Sequence, residues 1–232
     1  MIRDVHSPLS ENDLVFCDFD GTISVTDTGI AIIDALGLDE AWEVEHEWRA
    51  GRIDSMECLR RQFAMVHLSP KDLYALLDTF PLHEDFRDFL EFVRSRGAHL
   101  VVVSDGLDFY VDYLLGRIGY ATCEGERVLE RQYDCIPRFA NHATVDESGV
   151  RIEFPHRSPI CSQCGNCKLT HLFRLRREFA RVIYLGDGFS DMCPARYADV
   201  LFAKDHLAEA ARRDGLRYHP FESFADVIQV LS

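Results

Sequence analysis

Two kinds of segment alternate along the chain, and they differ in how their apolar side chains are spaced. Four short runs are apolar at nearly every position, as is typical of strands buried on both faces of a parallel sheet. These runs are residues 14–17, 99–103, 181–185 and 200–203. Between them, residues 84–96 and 168–179 carry apolar side chains at the spacing of an amphipathic helix. The alternation predicts an α/β fold with a doubly wound parallel sheet.

Two longer segments interrupt this alternation. Residues 27–81 are helical in pattern, rich in Ala and Leu, and contain both tryptophans of the chain, Trp42 and Trp48. This composition predicts an inserted helical subdomain with a small core of its own, in which we expect both tryptophans to pack. Residues 120–159 are richer in turn-forming residues and in strand-like alternation, which predicts a β-hairpin or irregular structure projecting from the sheet.

Length and charge exclude several classes of protein. The 232 residues are enough for one catalytic core with a modest inserted subdomain. The formal net charge of −14 argues against a nucleic-acid partner, because phosphate backbones require a basic surface. No apolar run approaches the roughly 20 residues that span a bilayer, and residues 1–13 lack a secretory signal. We therefore expect a cytoplasmic protein without a membrane or nucleic-acid partner, and the sequence leaves its oligomeric state open.

The eight cysteines are the next unusual feature of the composition. In a cytoplasmic protein we expect reduced thiols and no disulfide framework. Cys161, Cys164 and Cys167 stand apart because they are evenly spaced, with His156 five residues upstream. Three thiolates and an imidazole can complete a tetrahedral Zn²⁺ site. Common zinc sites instead split two cysteine pairs across a longer loop, so we favour thiols packed in a tight turn and keep zinc as the alternative.

Polar residues follow three of the predicted strands at the point where each strand ends. They are Asp18 and Asp20, then Ser104 and Asp105, then Asp187 and Asp191. Because ligands bind beyond the carboxyl ends of parallel strands, we expect these side chains to share one edge of the sheet. Acids gathered at one edge repel each other unless a hard divalent cation neutralises them, and oxygen ligands beside a phosphorylated substrate favour Mg²⁺. One carboxylate can then attack phosphorus while a second transfers protons.

Four motifs give a family resemblance that spans nearly the whole chain. They are Asp18-Phe19-Asp20-Gly21-Thr22, Val103-Ser104-Asp105-Gly106, Lys168 at the start of a helix, and Gly186-Asp187-Gly188-Phe189-Ser190-Asp191. In order and spacing they resemble the motifs of haloacid dehalogenase superfamily phosphatases. The resemblance implies a Rossmann-like core of residues 1–26 and 82–232, with a helical cap of residues 27–81. It also implies hydrolysis of a small-molecule phosphorylated substrate.

The same resemblance implies a role for each motif residue. Asp18 would be the nucleophile that forms an aspartyl-phosphate, and Asp20 the general acid and base. Mg²⁺ would be held by Asp18, the backbone carbonyl of Asp20, and Asp187, with Asp191 ordering the waters around the metal. The phosphoryl group would be bound by Ser104, Lys168 and the backbone of Gly106.

A finer resemblance concerns the substrate. The cap position resembles the phosphoserine phosphatase-like branch, in which a glutamate nine residues after the nucleophile recognises the substrate's amino group; here that residue is Asp27. Segments around residues 104–111, 141–143, 154–156 and 164–168 resemble the subgroup that contains the methionine-salvage phosphatase for 2-hydroxy-3-keto-5-methylthiopentenyl 1-phosphate. The chain departs from this subgroup at Asp105, where glycine is usual, and at Leu169-Thr170, where Pro-Ser is expected. Phosphoserine phosphatase and small-molecule phosphotransferase remain alternatives, as does an inactive binding module, which the intact acid set disfavours.

Several other polar residues have a structural explanation that we prefer to a functional one. His142 and His156 stand beside Asn141 and Pro155, and we expect them to be hydrogen-bonded structural residues. Four arginines of the helical segment are candidates to bind phosphate, although charged helix faces are usually only solvated. We expect one or two of them to face the site, among Arg49, Arg52, Arg60 and Arg61.

Overall fold

The computed structural model describes residues 7–130 and 134–232, so the first six residues of the polar N-terminal segment lie outside it. Strands and helices alternate in this described part of the chain. The strands are β1 Asp13–Asp18, β2 His99–Leu107, β3 Thr122–Glu124, β4 Ile136–Asp146, β5 Gly149–Glu153, β6 Arg181–Gly186, β7 Val200–Ala203 and β8 His219–Pro220. Seven of them form a parallel sheet in the order β3-β4-β2-β1-β6-β7-β8, and β5 pairs antiparallel with β4.

Six helices outside residues 27–81 cover the two faces of the sheet. They are α5 Phe86–Ser95, α6 Asp108–Arg117, α7 Lys168–Leu175, α8 Met192–Ala195, α9 Asp205–Arg213 and α10 Phe224–Leu231. Alternate residues of β1 point to opposite faces. Val15 and Cys17 pack in the cluster that contains α5, α6 and α10, while Leu14 and Phe16 pack in the cluster that contains α7 and α9. The predicted α/β class with a doubly wound parallel sheet is confirmed.

The strand order reverses at β1, which has β2 on one side and β6 on the other. The next strand along the chain, β2, lies on one side of β1, and the later strands β6 and β7 lie on the other. A crevice opens where the order of parallel strands reverses, at their carboxyl ends. The ends of β1, β2 and β6 therefore meet at one place.

Four further helices lie within residues 27–81, after β1 and before α5. They are α1 Thr28–Leu36, α2 Asp39–Arg49, α3 Ser55–Phe63 and α4 Pro70–Leu77. Asp27, Asp54 and Ser69 cap three of them by accepting backbone N–H bonds. Apolar side chains of α1, α3 and α4 join the same hydrophobic cluster as α5 and α6, so this segment rests on the core. The bounds 27–81 for a separate cap stay a prediction.

Residues 120–159 differ from their prediction. The first part of β4 lies in the parallel sheet, where Phe139 is in register with Val103, and only the second part forms a hairpin with β5. Pro137 and Arg138 interrupt the apolar pattern and hide this strand in the sequence. The charged Arg138 can lie within this strand because its guanidinium donates two hydrogen bonds to Asp112, each 2.7 Å long.

One expectation about the cysteines is wrong. Cys123 and Cys135 form a disulfide, with their Cα atoms 5.9 Å apart. The pairing arises because β3 lies beside β4, which brings Cys123 into register with Pro137, two residues after Cys135. The other six cysteines are free, and Cys17 is fully buried as a small apolar residue. No helix in the described residues is long and apolar enough to cross a membrane.

A buried ion pair joins β1 and β6 at the edge opposite the crevice. Asp13 and Arg181 are paired in register, and the guanidinium donates to the carboxylate at 2.7 and 3.1 Å. Both residues are at most 5 % exposed. Removing one partner of such a pair leaves the other charge buried and uncompensated.

We predict that Asp13→Ala lowers the free energy of unfolding by about 3–5 kcal/mol, because Arg181 would keep its charge without a carboxylate partner. Urea denaturation followed by circular dichroism measures this loss. Arg213→Ala is the matched control, since it removes an exposed ion pair with Asp214 and is expected to cost less than about 1 kcal/mol. Equal losses in the two variants would contradict the assigned role of the buried pair.

Candidate functional site

Asp18 is the last residue of β1, and a tight turn follows it at the carboxyl end of the strand. Phe19 anchors the turn, because its carbonyl accepts the backbone N–H groups of Thr22, Ile23 and Ser24. Gly21 has φ +73°, and a Cβ atom there would overlap the Asp187 carboxylate. Glycine is therefore required by both its backbone conformation and the approach of an acid from β6.

Lys168, the first residue of α7, bridges two of the acids. Its Nζ donates to Asp18 Oδ1 and to Asp191 Oδ1, both at 2.7 Å, and its side chain is 1 % exposed. Burial lowers the pKa of Lys168, but the attraction of the two carboxylates outweighs burial and holds it well above its usual range. The lysine therefore stays charged and supplies fixed positive charge beside Asp18.

Three acids converge at this point. Oxygens of Asp18, Asp187 and Asp191 lie within 4.8 Å of one another, a grouping with no second example among the residues that the structure describes. Burial, and then repulsion from Asp191, raises the pKa of Asp18 well above its usual range and that of Asp187 to about 7. Acids with such raised pKa values, all offering oxygen ligands, fit a hard divalent cation that would relieve their repulsion.

Asp191 is the most rigidly held of the three acids. It accepts hydrogen bonds from Lys168 and from the Tyr184 hydroxyl, the latter at 2.6 Å. It also accepts the backbone N–H groups of Asp187 and Gly188 at 3.2 and 3.1 Å. Burial raises the pKa of Asp191, but Lys168 and these donors outweigh burial and hold it below its usual range. Asp191 is therefore a fixed anion that positions its neighbours.

Asp20 is oriented from three directions. Its Oδ2 accepts the hydroxyls of Ser104 at 2.9 Å and Tyr110 at 3.2 Å, and its Oδ1 accepts the backbone N–H of Thr28 at 3.0 Å. Gly106 N–H donates to Ser104 Oγ at 2.8 Å. A Cβ atom at Gly106 would overlap the Tyr110 hydroxyl and approach Asp20, so only glycine fits. Burial, and then the negative charge of Asp20, raises the pKa of Tyr110, which keeps its hydroxyl a donor.

A cavity of about 180 Å³ lies between these strand ends and helices α1–α3. Predicted site residues that line it are Asp18, Asp20, Gly106, Lys168 and Asp187. Ser104 and Asp191 are fully buried behind this surface. The fold thus brings all seven predicted site residues to one place, and their catalytic and binding roles are taken up below as proposals.

Comparison with known proteins decides the family. The family model described as Putative Phosphatase matches residues 13–212. This chain belongs to that family. Curated relatives agree: the phosphatase is 33% identical over 222 residues to 2-hydroxy-3-keto-5-methylthiopentenyl-1-phosphate phosphatase of Geobacillus kaustophilus, covering 94% of each chain. It is 30% identical over 223 residues to the protein of that name from Bacillus velezensis, covering 94% of this chain and 89% of the relative.

Solved structures support the fold of the phosphatase. A phosphoserine phosphatase solved with an analogue of its phospho-aspartyl intermediate superposes with a TM-score of 0.69 at 18% identity, covering 96% of this chain and 100% of that one. A haloacid dehalogenase family hydrolase of Salmonella enterica serovar Typhi gives a TM-score of 0.69 at 19% identity, covering 97% of this chain and 72% of that one. The predicted resemblance to haloacid dehalogenase-like phosphatases is confirmed.

Helices α1–α3 form one side of the cavity, here called the cap wall, and one residue on it differs from its prediction. Trp48 lines the cavity and meets Phe189 edge to face, with ring centroids 6.0 Å apart, whereas we expected it in the cap core. Trp42 is turned away and donates to Asp34 at 2.7 Å. The two tryptophans are six residues apart on α2, which places them on different faces of the helix.

Charged residues of the cap wall neutralise each other. Glu45 is buried and accepts from Arg49 at 2.7 Å and from Gln62 at 3.0 Å. Among the four arginines singled out in the sequence, Arg49 lines the cavity and the others do not. Asp27 lines the cavity and is in contact with solvent. The protein atoms crowded around its carboxyl group, and then repulsion from Asp20, raise its pKa to about 7.

The two histidines considered in the sequence contact structural partners. The Nδ1–H of His142 donates to Asp108 Oδ2 at 2.7 Å, and this bond raises the pKa of His142. His156 packs edge to face against the rings of Phe139 and His171. Neither lines the cavity. Sequence reasoning missed Tyr110 and His171, of which Tyr110 alone carried a signal, since it lies within the segment that resembles the methionine-salvage subgroup.

The evenly spaced cysteines lie in the turn that leads to Lys168. Cys161 is exposed, Cys164 and Cys167 are half-buried, and the backbone of Cys167 donates to the carbonyl of His156. No three of these four residues bring ligand atoms within 4.8 Å of one another in the part of the chain that is described. The structure therefore gives the zinc alternative no support.

Because the acids repel each other, removing one of their charges should raise the thermal stability of the protein by an amount that depends on pH. Without divalent cations, Asp187→Asn should raise the melting temperature at pH 8, by at least about 2 °C, because Asp187 is then ionised beside Asp191. At pH 5 the gain should be less than half as large, because most of the pH range over which Asp187 destabilises the folded protein, which ends at its pKa of about 7, lies above pH 5. Thermal unfolding in EDTA at the two pH values measures this.

The sign follows from proton binding. Between the unfolded pKa and about 7, the folded state binds more protons at Asp187, so this group destabilises the wild-type protein increasingly as pH rises. Asp88→Asn, an exposed position on α5, is the matched control and should show no such pH dependence. A gain of equal size at both pH values would show that the raised pKa is not the cause.

Proposed function

We propose that this phosphatase hydrolyses a small phosphorylated metabolite in two steps that depend on Mg²⁺, with Asp18 as the nucleophile. The observation that carries the proposal is the meeting of three acids and Lys168 at the floor of one cavity. A carboxylate that ends a buried strand, with a lysine 2.7 Å from one oxygen, is fixed in place for in-line attack on phosphorus.

Asp18, Asp187 and the backbone carbonyl of Asp20 would hold the cation. Asp191 already accepts four hydrogen bonds, so its part is to orient waters and Lys168. When bound, the cation neutralises the acids and draws negative charge from the phosphoryl oxygens. The raised pKa values of Asp18 and Asp187 are what unneutralised acids at this spacing would have.

The first step forms a bond between a carboxylate oxygen of Asp18 and phosphorus and breaks the bond to the substrate oxygen. Asp20, held by Ser104 and Tyr110, gives a proton to that leaving oxygen. In the second step Asp20 takes a proton from water, which attacks the aspartyl-phosphate and releases inorganic phosphate. Lys168 offsets the phosphoryl charge throughout.

For the substrate we propose 2-hydroxy-3-keto-5-methylthiopentenyl 1-phosphate or a close phosphorylated keto or enol compound. Curated relatives that carry this name cover nearly the whole chain. The cap wall suits such a molecule, because Arg49 offers hydrogen-bond donors for oxygen atoms while Ile30, Leu59 and Trp48 offer apolar contact for a thioether.

Phosphoserine is the second candidate, since Asp27 lines the cavity at the position where a glutamate reads the amino group in that branch. Here the carboxylate is shorter by one methylene and is engaged as a helix cap, accepting from the N–H of Ile30 at 2.9 Å. Its reach toward an amino group is therefore reduced.

We predict that Asp18→Asn abolishes phosphate release, with less than a few per cent remaining, because an amide cannot form the acyl phosphate. The assay is phosphate release with Mg²⁺ and after exhaustive chelation, and wild-type activity should disappear with EDTA and return with Mg²⁺. Asp88→Asn serves again as the control and should keep full activity. Substantial turnover by folded Asp18→Asn would exclude this mechanism, and activity in fully chelated enzyme would exclude the metal.

A panel of phosphorylated metabolites tests the substrate. We expect phosphorylated keto and enol compounds to be hydrolysed with a kcat/KM at least about tenfold above that of phosphoserine, equivalent to one hydrogen bond to a charged group. Asp27→Glu should raise the relative kcat/KM for phosphoserine, because it restores the missing methylene. If phosphoserine exceeds every other compound in the panel, the ranking is reversed while the mechanism stands.

A further inference from the structure

Three polar residues at the cavity floor have no part in the proposed reaction: Asp105 lines the cavity, and Asn166 and His171 are buried behind it. Asn166 is 0 % exposed, His171 is 4 % exposed, and Asp105 is half-buried. Asp105 belongs to β2, Asn166 to the turn before α7, and His171 to α7 itself. Together they join the segment that carries Ser104 to the segment that carries Lys168.

Asn166 uses its whole side chain in this junction. Its Nδ2 donates to the backbone carbonyl of Ser104 at 2.7 Å, and its Oδ1 lies 2.6 Å from His171 Nε2. Because a carbonyl only accepts, the amide nitrogen must face Ser104, and His171 must donate through Nε2. Burial lowers the pKa of His171 to about 3, so the ring is neutral, and it stacks on Phe139 at 3.7 Å.

Asp105 is the centre of the junction. Its Oδ1 accepts the backbone N–H of Asn166 at 2.7 Å, and its backbone carbonyl accepts Asn141 Nδ2 at 2.6 Å. Burial raises the pKa of Asp105, and the N–H of Asn166 and the nearby Ser55 hydroxyl oppose this rise.

Ser55 brings the cap into the same junction. It is the first residue of α3, is 4 % exposed, and donates its backbone N–H to the carbonyl of Gln163 at 3.0 Å. Its hydroxyl accepts the N–H of Gly165 at 2.8 Å. A Cβ atom at Gly165 would overlap the ring of Phe154, so the backbone can approach only as glycine.

We propose that Asp105 is a positioning residue that couples the docking of cap helix α3 to the placement of Ser104 and Lys168. Ser55 of α3 binds the backbone of the turn before α7, and Asp105 holds the next residue of that turn, Asn166, by its N–H. The Asn166 side chain then donates to the carbonyl of Ser104, whose hydroxyl holds Asp20. Residues 163–167 lead directly into Lys168, so the same contacts fix where α7 begins. The catalytic consequence rests on the proposed function, whereas the docking does not.

This proposal makes the docked cap and the ordered catalytic floor one cooperative unit. With α3 away, the N–H of Gly165 would lose its buried partner, the Ser55 hydroxyl, which weakens the hold on the next residue, Asn166. With α3 docked, this N–H is paired. A purely structural junction would stabilise the fold without linking the cap to the floor.

Amide hydrogen exchange of the free protein tests the coupling without any assay of activity. Ser55→Ala should accelerate exchange at the amides of Gly165 and Asn166, and Asp105→Ala should accelerate exchange in the first turn of α3, each by at least about tenfold. Ser69→Ala is the matched control, since it removes a helix-capping hydroxyl at α4 and should affect that helix alone. If Asp105→Ala leaves α3 protected, the coupling is refuted.

Steady-state kinetics tests the coupling a second time, using the compound of the metabolite panel that has the highest kcat/KM. Ser55→Ala and Asp105→Ala should each lower kcat/KM at least about tenfold, and the double variant should lose little more, because both remove one connection. Asp105→Asn should recover most of the loss, because its amide oxygen can still accept the N–H of Asn166. Ser69→Ala should keep the wild-type value.

The outcomes separate the two proposals. Additive losses in the double variant, or Asp105→Asn no better than Asp105→Ala, would overturn the positioning role. A wild-type protein that hydrolyses nothing in the panel would defeat the proposed function, while the exchange experiment would still decide whether cap docking and the catalytic floor are coupled.

Discussion

The structure of the site depends on one constraint, which is the burial of three carboxylates within reach of one another. Lys168 makes this possible by bridging Asp18 and Asp191 at 2.7 Å each. Tyr184 and two backbone N–H groups complete the hold on Asp191. Glycines at 21 and 186 follow from the same crowding, because a Cβ atom at either would meet an acid. The charge left uncompensated by one lysine is what a divalent cation would neutralise.

Much of this arrangement follows from the sequence because it lies on elements whose pattern is local. The apolar runs that become β1, β2, β6 and β7 are short and uninterrupted, so their ends can be located, and polar residues at those ends share an edge by the geometry of a parallel sheet. Asp18, Ser104 and Asp187 were therefore placed together correctly without coordinates.

What the sequence did not reveal depends on contacts between distant segments. β4 was missed because Pro137 and Arg138 break its pattern, and it is recognisable only beside β2. The disulfide requires β3 and β4 to be neighbours, which no spacing of cysteines encodes. Trp48 was assigned to the cap core, because composition suggests burial of an indole but not which face of α2 it occupies. The bonds of Asn166 and His171 are likewise visible only once β2 and α7 meet.

Chemistry and selectivity are thus built from different parts of the fold. The acids and Lys168 stand at strand ends and a helix start, where the hydrogen-bonded sheet sets their positions. Residues that would contact the rest of a substrate, such as Arg49 and Trp48, lie on α2. The position of the cap helices over the cavity depends on side-chain packing and on contacts such as that of Ser55 with Gly165. A change on α2 or α3 can alter which molecule fits while the acid cluster stays intact. For this reason the reaction class is far easier to infer from sequence than the substrate is.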